Sequence, residues 1–169
     1  GITVSTACAS GTDAIGIAAR KIMSGATDIM IAGGVDVLSD FAILGFNALQ
    51  ALTEEKVRPF DKNRSGLAIG EGAAFIVLES EKHAALRGTR IYGEVKGYAS
   101  RADANHLTGP HREGRGLADA VLCAMSEGNL KAEDIDYINA HGTGTIYNDL
   151  METKAIKKVF GRRAYDIPV

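Results

Sequence analysis

Cys8 lies in Ser5-Thr6-Ala7-Cys8-Ala9-Ser10-Gly11, between the apolar run Ile2-Thr3-Val4 and a stretch of small residues with helical character. A thiol at such a strand-to-helix junction meets the unpaired N–H groups and partial positive charge of a helix start, which favour thiolate over thiol. That placement suits a nucleophile. Cysteine also packs as an inert small hydrophobe, so the nucleophile reading requires a histidine brought close in space rather than in sequence. His141 opens His141-Gly142-Thr143-Gly144-Thr145, directly after the expected short strand Tyr137-Ile138-Asn139-Ala140. A glycine-rich turn there would present its ring at a strand end.

Together these two segments resemble the beta-ketoacyl synthases, the condensing enzymes of fatty acid and polyketide synthesis, which have a thiolase-like α/β fold. Thr6-Ala7-Cys8-Ala9-Ser10-Gly11 is similar to their nucleophile motif, and His141-Gly142-Thr143-Gly144-Thr145 to their first catalytic histidine motif. Ala32-Gly33-Gly34, Arg58-Pro59-Phe60-Asp61, Gly70-Glu71-Gly72-Ala73 and Asn148-Asp149 through Glu152 follow in the expected order, so the resemblance covers essentially the whole chain.

The resemblance implies acyl transfer to Cys8 and then decarboxylative condensation with a malonyl thioester, with His141 stabilising the enolate. It also implies that Asn139, Asp149 and Glu152 support a buried polar network. Thr143 and Thr145 would meet a phosphopantetheine arm, and Phe46 and Leu67 would line an acyl pocket. Each role has a plainer counterpart. The threonine hydroxyls suit local turn hydrogen bonds, the two carboxylates suit a helix N-terminus, and Phe46 and Leu67 suit a core. Leu67 departs from the phenylalanine common in fatty-acid elongating members, which leaves chain-length preference open.

No resident cofactor or metal is expected, since phosphopantetheine would arrive on the substrate. The implied partners are acyl carrier protein and a second copy of the chain in a homodimer. A thiolase acting on coenzyme A thioesters shares the fold and the cysteine chemistry, but the His141 motif argues against it. A silent chain-length-factor-like partner subunit usually lacks the nucleophile, so Cys8 argues against that reading.

The elements that would position these residues alternate. Helices are expected over 12–24, partly over 41–52, and over 81–87, 116–127 and 149–160. Strands are expected over 28–32, 73–78, 91–99, 135–140 and in the final 166–169. Residues 53–72 and 100–114 read as long loops, of a length that is often functional. Strands alternating with helices predict an α/β fold with mainly parallel pairing. The first helix, apolar nearly all round, is expected to be buried, and 28–32 to be a buried strand. By resemblance, residues 1–85 belong to the N-terminal thiolase-like half and 86–169 to the C-terminal half, both truncated. The chain opens without methionine and stops within a strand-like segment, so a longer parent is expected. That parent would supply a lysine-and-histidine motif and a glycine-rich loop.

Composition narrows the classes. The 169 residues are 46% hydrophobic and 24% charged, ordinary for a globular protein. Nineteen basic against 21 acidic side chains give a net charge of -2, without the basic block that tracks a phosphate backbone, so nucleic acid is not an expected partner. Cys8 and Cys123 form no Cys-x-x-Cys pair, which points away from a disulfide framework or zinc site. Cys123, in Ala120-Val121-Leu122-Cys123-Ala124-Met125, reads as core. No apolar run is long enough to span a membrane, and a cytoplasmic location is the default.

Glycine motifs invite nucleotide readings that fail in detail. Tyr147 replaces the third glycine after Gly142-x-Gly144, Phe75 replaces it after Gly70-Glu71-Gly72, and residues 66–70 lack the Lys-Ser/Thr of a phosphate loop. His106 and His111 lack the spacing that puts two rings on one helix face, so with Asp103 they read as loop residues. His83 reads as a surface helix residue.

Overall fold

The computed structural model describes residues 1–169. It contains helices α1 (Ser10–Met23), α2 (Asp40–Ala48), α3 (Glu81–Leu86), α4 (Arg115–Glu127) and α5 (Ile146–Phe160), and strands β1 (Ile29–Asp36) and β2 (Gly72–Glu79). The chain packs as two compact units. One comprises Gly1–Val37 and Gly70–Lys96; the other comprises Leu38–Ile69 and Gly97–Val169. This division by packing interleaves the sequence, and is a different property from a division into sequence halves.

In the first unit β1 and β2 form an antiparallel ribbon with Ile31 opposite Val77 and Ala32 opposite Ile76. The pairing corrects the parallel arrangement expected from alternating elements. Helix α1 packs on the ribbon, with Ala18 and Ala19 of the helix and Ala32 of β1 buried. Ile31, Val35, Phe75 and Val77 are exposed on the other face. Strand β1 therefore is not the buried strand expected, and it runs on through Gly33-Gly34 to Asp36. Helix α1 buries Asp13, Gly16, Ala18 and Ala19 and exposes Thr12, Arg20 and Met23, so it is buried in part rather than all round.

Helix α3 follows a strand-to-helix corner fastened by Ser80. Its hydroxyl accepts the His83 N–H at 3.2 Å and donates to Asp28 at 3.0 Å, a side-chain N-cap. Behind it Glu79 accepts from Arg87 Nε at 2.6 Å and lies 2.5 Å from His83 Nδ1. The Arg87 hydrogen bond, followed by that to His83, lowers the Glu79 carboxyl from 4.5 to about 2.

In the second unit α4 packs against α5. The contact is close at Gly114, where a side chain would lie 2.8 Å from Ala155 Cβ, and Lys154 pairs with Glu113 at 2.6 Å. Residues 91–99, 135–140 and 166–169, expected as strands, form no ladder. A strand persists through hydrogen bonds to a neighbour, and between two of these segments a backbone bond runs from Ile138 N–H to Pro168 O, at 3.0 Å. Loop 100–114 is held by its own side chains. Asp103 accepts the N–H groups of His111 and Gly116, at 2.9 and 3.2 Å, and His106 Nδ1 accepts those of Thr108 and Gly109. Cys123 is half-buried, with Arg101 Nη2 at 2.8 Å from its sulfur, rather than a plain core residue.

Candidate active site

One candidate segment, in the first unit, is the turn before α1. Cys8 is exposed and stands two residues ahead of the first helical residue, Ser10. A knot of short bonds shapes the turn. The Thr6 N–H donates to Ser10 Oγ at 2.8 Å, and that hydroxyl donates to Ala7 O at 2.7 Å. The Thr6 hydroxyl donates to Asp13 Oδ2 at 2.6 Å, and Asp13 is buried in the first turn of α1. Ala7 takes φ +51°, a left-handed conformation that costs a residue bearing a Cβ and is held where surroundings over-determine it. The result is a sharp bend that projects Cys8 beside a helix start. Asp13 was not singled out by the sequence, because a carboxylate in a first turn looks ordinary.

A separate candidate segment, in the second unit, is the turn carrying His141. The residue is exposed, while its backbone N–H donates to Glu152 Oε1 at 2.7 Å and the N–H of Gly142 to Oε2 at 2.8 Å. Glu152 is buried and also takes a bond from Asn148 Nδ2 at 2.8 Å. Asp149, 1% exposed, holds the far end of the turn, where Oδ1 accepts from Gly144 N–H and Asn148 Nδ2, both at 3.2 Å. Gly142 and Gly144 have φ +53° and +75°, which glycine adopts at no steric cost. A side chain at Gly144 would also come within 2.7 Å of Gly66 O.

These two carboxylates are thus placed one helical turn apart on α5, each bonded to one end of the glycine turn. Thr143 and Thr145 face each other, Oγ1 to Oγ1, at 2.8 Å, the local turn bond that competes with a ligand role. Asn139 is exposed and joins none of these bonds, so the structure does not bring it into the network.

Sequence reading missed two further components. The Phe60 N–H, from Arg58-Pro59-Phe60-Asp61, donates to Asp149 Oδ2 at 2.8 Å. Arg64 sits 3.6 Å from the same oxygen and donates to the carbonyls of Thr145 and Ile146, at 3.1 and 2.8 Å. The signals were the place of Arg58-Pro59-Phe60-Asp61 in the family resemblance and a loop too long to be structureless.

Leu67 and Phe46 are half-buried. Leu67 lines an open depression of about 220 Å³ with Leu38, Ile43, Leu52, Thr53 and Ile69, and it bridges to Leu52. Phe46 does not line it. No helix is long and apolar enough to cross a membrane, and no cluster of three His, Cys, Asp or Glu side chains has metal-binding geometry.

Comparison with known proteins follows the same two segments. The family described as "Beta-ketoacyl synthase, N-terminal domain" matches residues 1–84, and "Beta-ketoacyl synthase, C-terminal domain" matches residues 92–169. The chain is 42% identical to the tetracenomycin polyketide synthase ketoacyl synthase alpha subunit of Streptomyces glaucescens, over 98% of this chain and 41% of the relative. It is 43% identical to 3-oxoacyl-[acyl-carrier-protein] synthase 2 of a Synechocystis species, over 97% and 41%. Among solved structures it is similar to a type II polyketide ketosynthase bound to the hexaketide and in complex with its acyl-carrier protein. The TM-score is 0.94 at 39% identity, covering 98% of this chain and 42% of that one. The ishigamide ketosynthase/chain length factor gives a TM-score of 0.91 at 45% identity, covering 95% and 39%. These neighbours share the thiolase-like fold, and the chain spans about two fifths of the length of the curated relatives it matches.

Proposed function

Because the chain belongs to the beta-ketoacyl synthase family, we propose that the whole protein bearing it condenses an acyl group with a malonyl unit, using Cys8 as nucleophile and His141 as enolate stabiliser. The Cys8 thiolate attacks an acyl thioester, forming the Cys8–acyl bond and expelling the carrier thiolate, which takes up a proton. The Cys8 amide supplies one donor to the developing oxyanion. A malonyl thioester then loses carbon dioxide, and the electron pair of the broken C–C bond passes into an enolate. His141 donates a hydrogen bond to that enolate oxygen. The enolate carbon attacks the acyl carbonyl, the new C–C bond forms and Cys8 leaves as thiolate, giving a 3-ketoacyl thioester.

The observation that carries this reading is the mounting of His141. Its backbone is tied to buried Glu152 while the residue itself is exposed. Such an arrangement fixes the position of the ring through its main chain at the surface of the turn.

The same reading names acyl carrier protein as partner, its phosphopantetheine arm passing Thr143 and Thr145, and Phe46 and Leu67 as residues of the acyl pocket. Asn139 keeps a role only through contacts outside this chain. A homodimer, a cytoplasmic location and no resident cofactor complete the proposal.

The test supplies the full-length protein with an acyl-carrier thioester and a malonyl-carrier thioester. A 3-ketoacyl-carrier product that disappears in His141→Ala supports the reading. Product from coenzyme A thioesters alone would instead support a thiolase, and no product with a separate active synthase required would support a silent partner subunit.

A further inference from the structure

Asp149 is almost wholly removed from water, and a buried carboxylate needs both a counter-charge and donors for its lone pairs. It has three backbone or amide donors, from Phe60, Gly144 and Asn148, and one cation, Arg64, whose side chain is 17% exposed. Arg64 does more than neutralise. Its planar fork points three ways at once, from Nε to Thr145 O at 3.1 Å, from Nη2 to Ile146 O at 2.8 Å, and from Nη1 to Asp61 O at 2.9 Å. One side chain therefore ties the 58–64 turn to both the end of the His141 turn and the start of α5.

The two turns meet with little slack. Phe60 sits at φ +62°, a left-handed conformation unusual for a bulky residue, with its N–H committed to Asp149. Gly144 packs so closely on Gly66 that even a methyl group would collide. The backbone strain at Phe60 survives only where neighbours hold it; Asp149 accepts the Phe60 N–H and Arg64 donates to the adjoining Asp61 carbonyl.

We propose that Arg64 is a positioning residue for His141, acting through Asp149 and the Thr145 and Ile146 carbonyls to hold the glycine turn in the geometry that decarboxylation requires. The proposal rests on the condensing function proposed above, and it concerns one half-reaction more than the other. Acyl transfer to Cys8 draws on the Cys8 turn, which Thr6, Ser10 and Asp13 brace, whereas decarboxylation draws on His141, whose turn Arg64 braces. Lysine cannot replace Arg64, because an ammonium is a point charge without the forked donors.

The test compares full-length wild type with Arg64→Lys and Arg64→Gln in two separate assays. One follows transfer of a hexanoyl group from its carrier thioester to Cys8 by intact mass, and the other follows release of carbon dioxide from malonyl-carrier thioester. A displacement of about 1 Å in a catalytic group costs on the order of 100-fold, so decarboxylation in Arg64→Gln should fall about 100-fold while acylation stays within about threefold. Arg64→Lys should fall between the two. Equal losses in both assays would mark Arg64 as merely structural and overturn the proposal, as would wild-type decarboxylation in Arg64→Gln. A wild type inert in both assays would instead overturn the functional reading, and the proposal with it.

Amide hydrogen exchange of the Arg64→Lys protein provides a readout independent of activity. Faster exchange at Phe60 and Gly144, with the middle of α5 unchanged, is expected. Unchanged exchange at both amides would overturn the proposal even if activity fell.

Discussion

The Cys8 turn and the His141 turn both present an exposed reactive residue, but they are fastened over different reaches of the chain. Thr6, Ser10 and Asp13 hold the first, and the longest of those bonds in sequence spans seven residues. The second is held partly from α5, only 10 or 11 residues away through Glu152. It also depends on Phe60 and Arg64, which lie 89 and 81 residues from their partners. A nucleophile at a helix start can be built from a local motif. A histidine on a glycine turn is placed by buried carboxylates, and these in turn require a distant loop.

The largest expected effect of breaking this contrast is at Asp149. Asp149→Leu removes the acceptor of several donors and leaves Arg64 without its carboxylate, so the unit should lose about 3 to 5 kcal/mol, read by urea unfolding. A loss under 1 kcal/mol would mean that the distant ties contribute little. Glu152→Gln is gentler. One oxygen still accepts, but the new amide faces an N–H donor, and about 2 kcal/mol should be lost by the same measurement. In the Cys8 turn, Thr6→Val removes one charge-assisted bond to a buried carboxylate and should cost about 1.5 kcal/mol, with Thr6→Ser close to wild type. Were Thr6→Val as damaging as Asp149→Leu, the two turns would not differ as described.

A smaller effect belongs to the β2–α3 corner, remote in sequence from both turns. Glu79 has a folded-state pKa of about 2, below its ordinary 4.5, chiefly through its hydrogen bond to Arg87 and then through that to His83. A carboxyl with a depressed folded value contributes stability above its unfolded pKa and loses it as pH falls towards the folded one. The thermal midpoint should therefore fall between pH 5 and pH 3 more steeply in wild type than in Arg87→Gln. Parallel falls would show that the Arg87 contact does not hold in solution.

The same difference in reach explains what the sequence disclosed. Helix α4 was expected over 116–127 and observed as Arg115–Glu127, and α3 and β2 agree within about a residue at each end, because periodicity and capping are local. Helix α5 begins three residues earlier than expected, at Ile146, since Thr145 precedes it without a side-chain cap to announce the start. Pairing direction was not legible: β1 and β2 are separated by a helix and a long loop, the usual mark of a parallel crossover, yet they run antiparallel. Cys8, His141, Asp149 and Glu152 could be named from motifs. Arg64 could not, because nothing near it in sequence reveals that its guanidinium reaches Thr145 and Ile146.

The most direct test of the central claim is peptide mass mapping of the full-length protein after incubation with an acyl-carrier thioester, beside its Cys8→Ala variant. The account predicts one acyl group on the peptide containing Cys8, and none in the variant. An adduct that persists in Cys8→Ala, or that maps to Cys123, would contradict it.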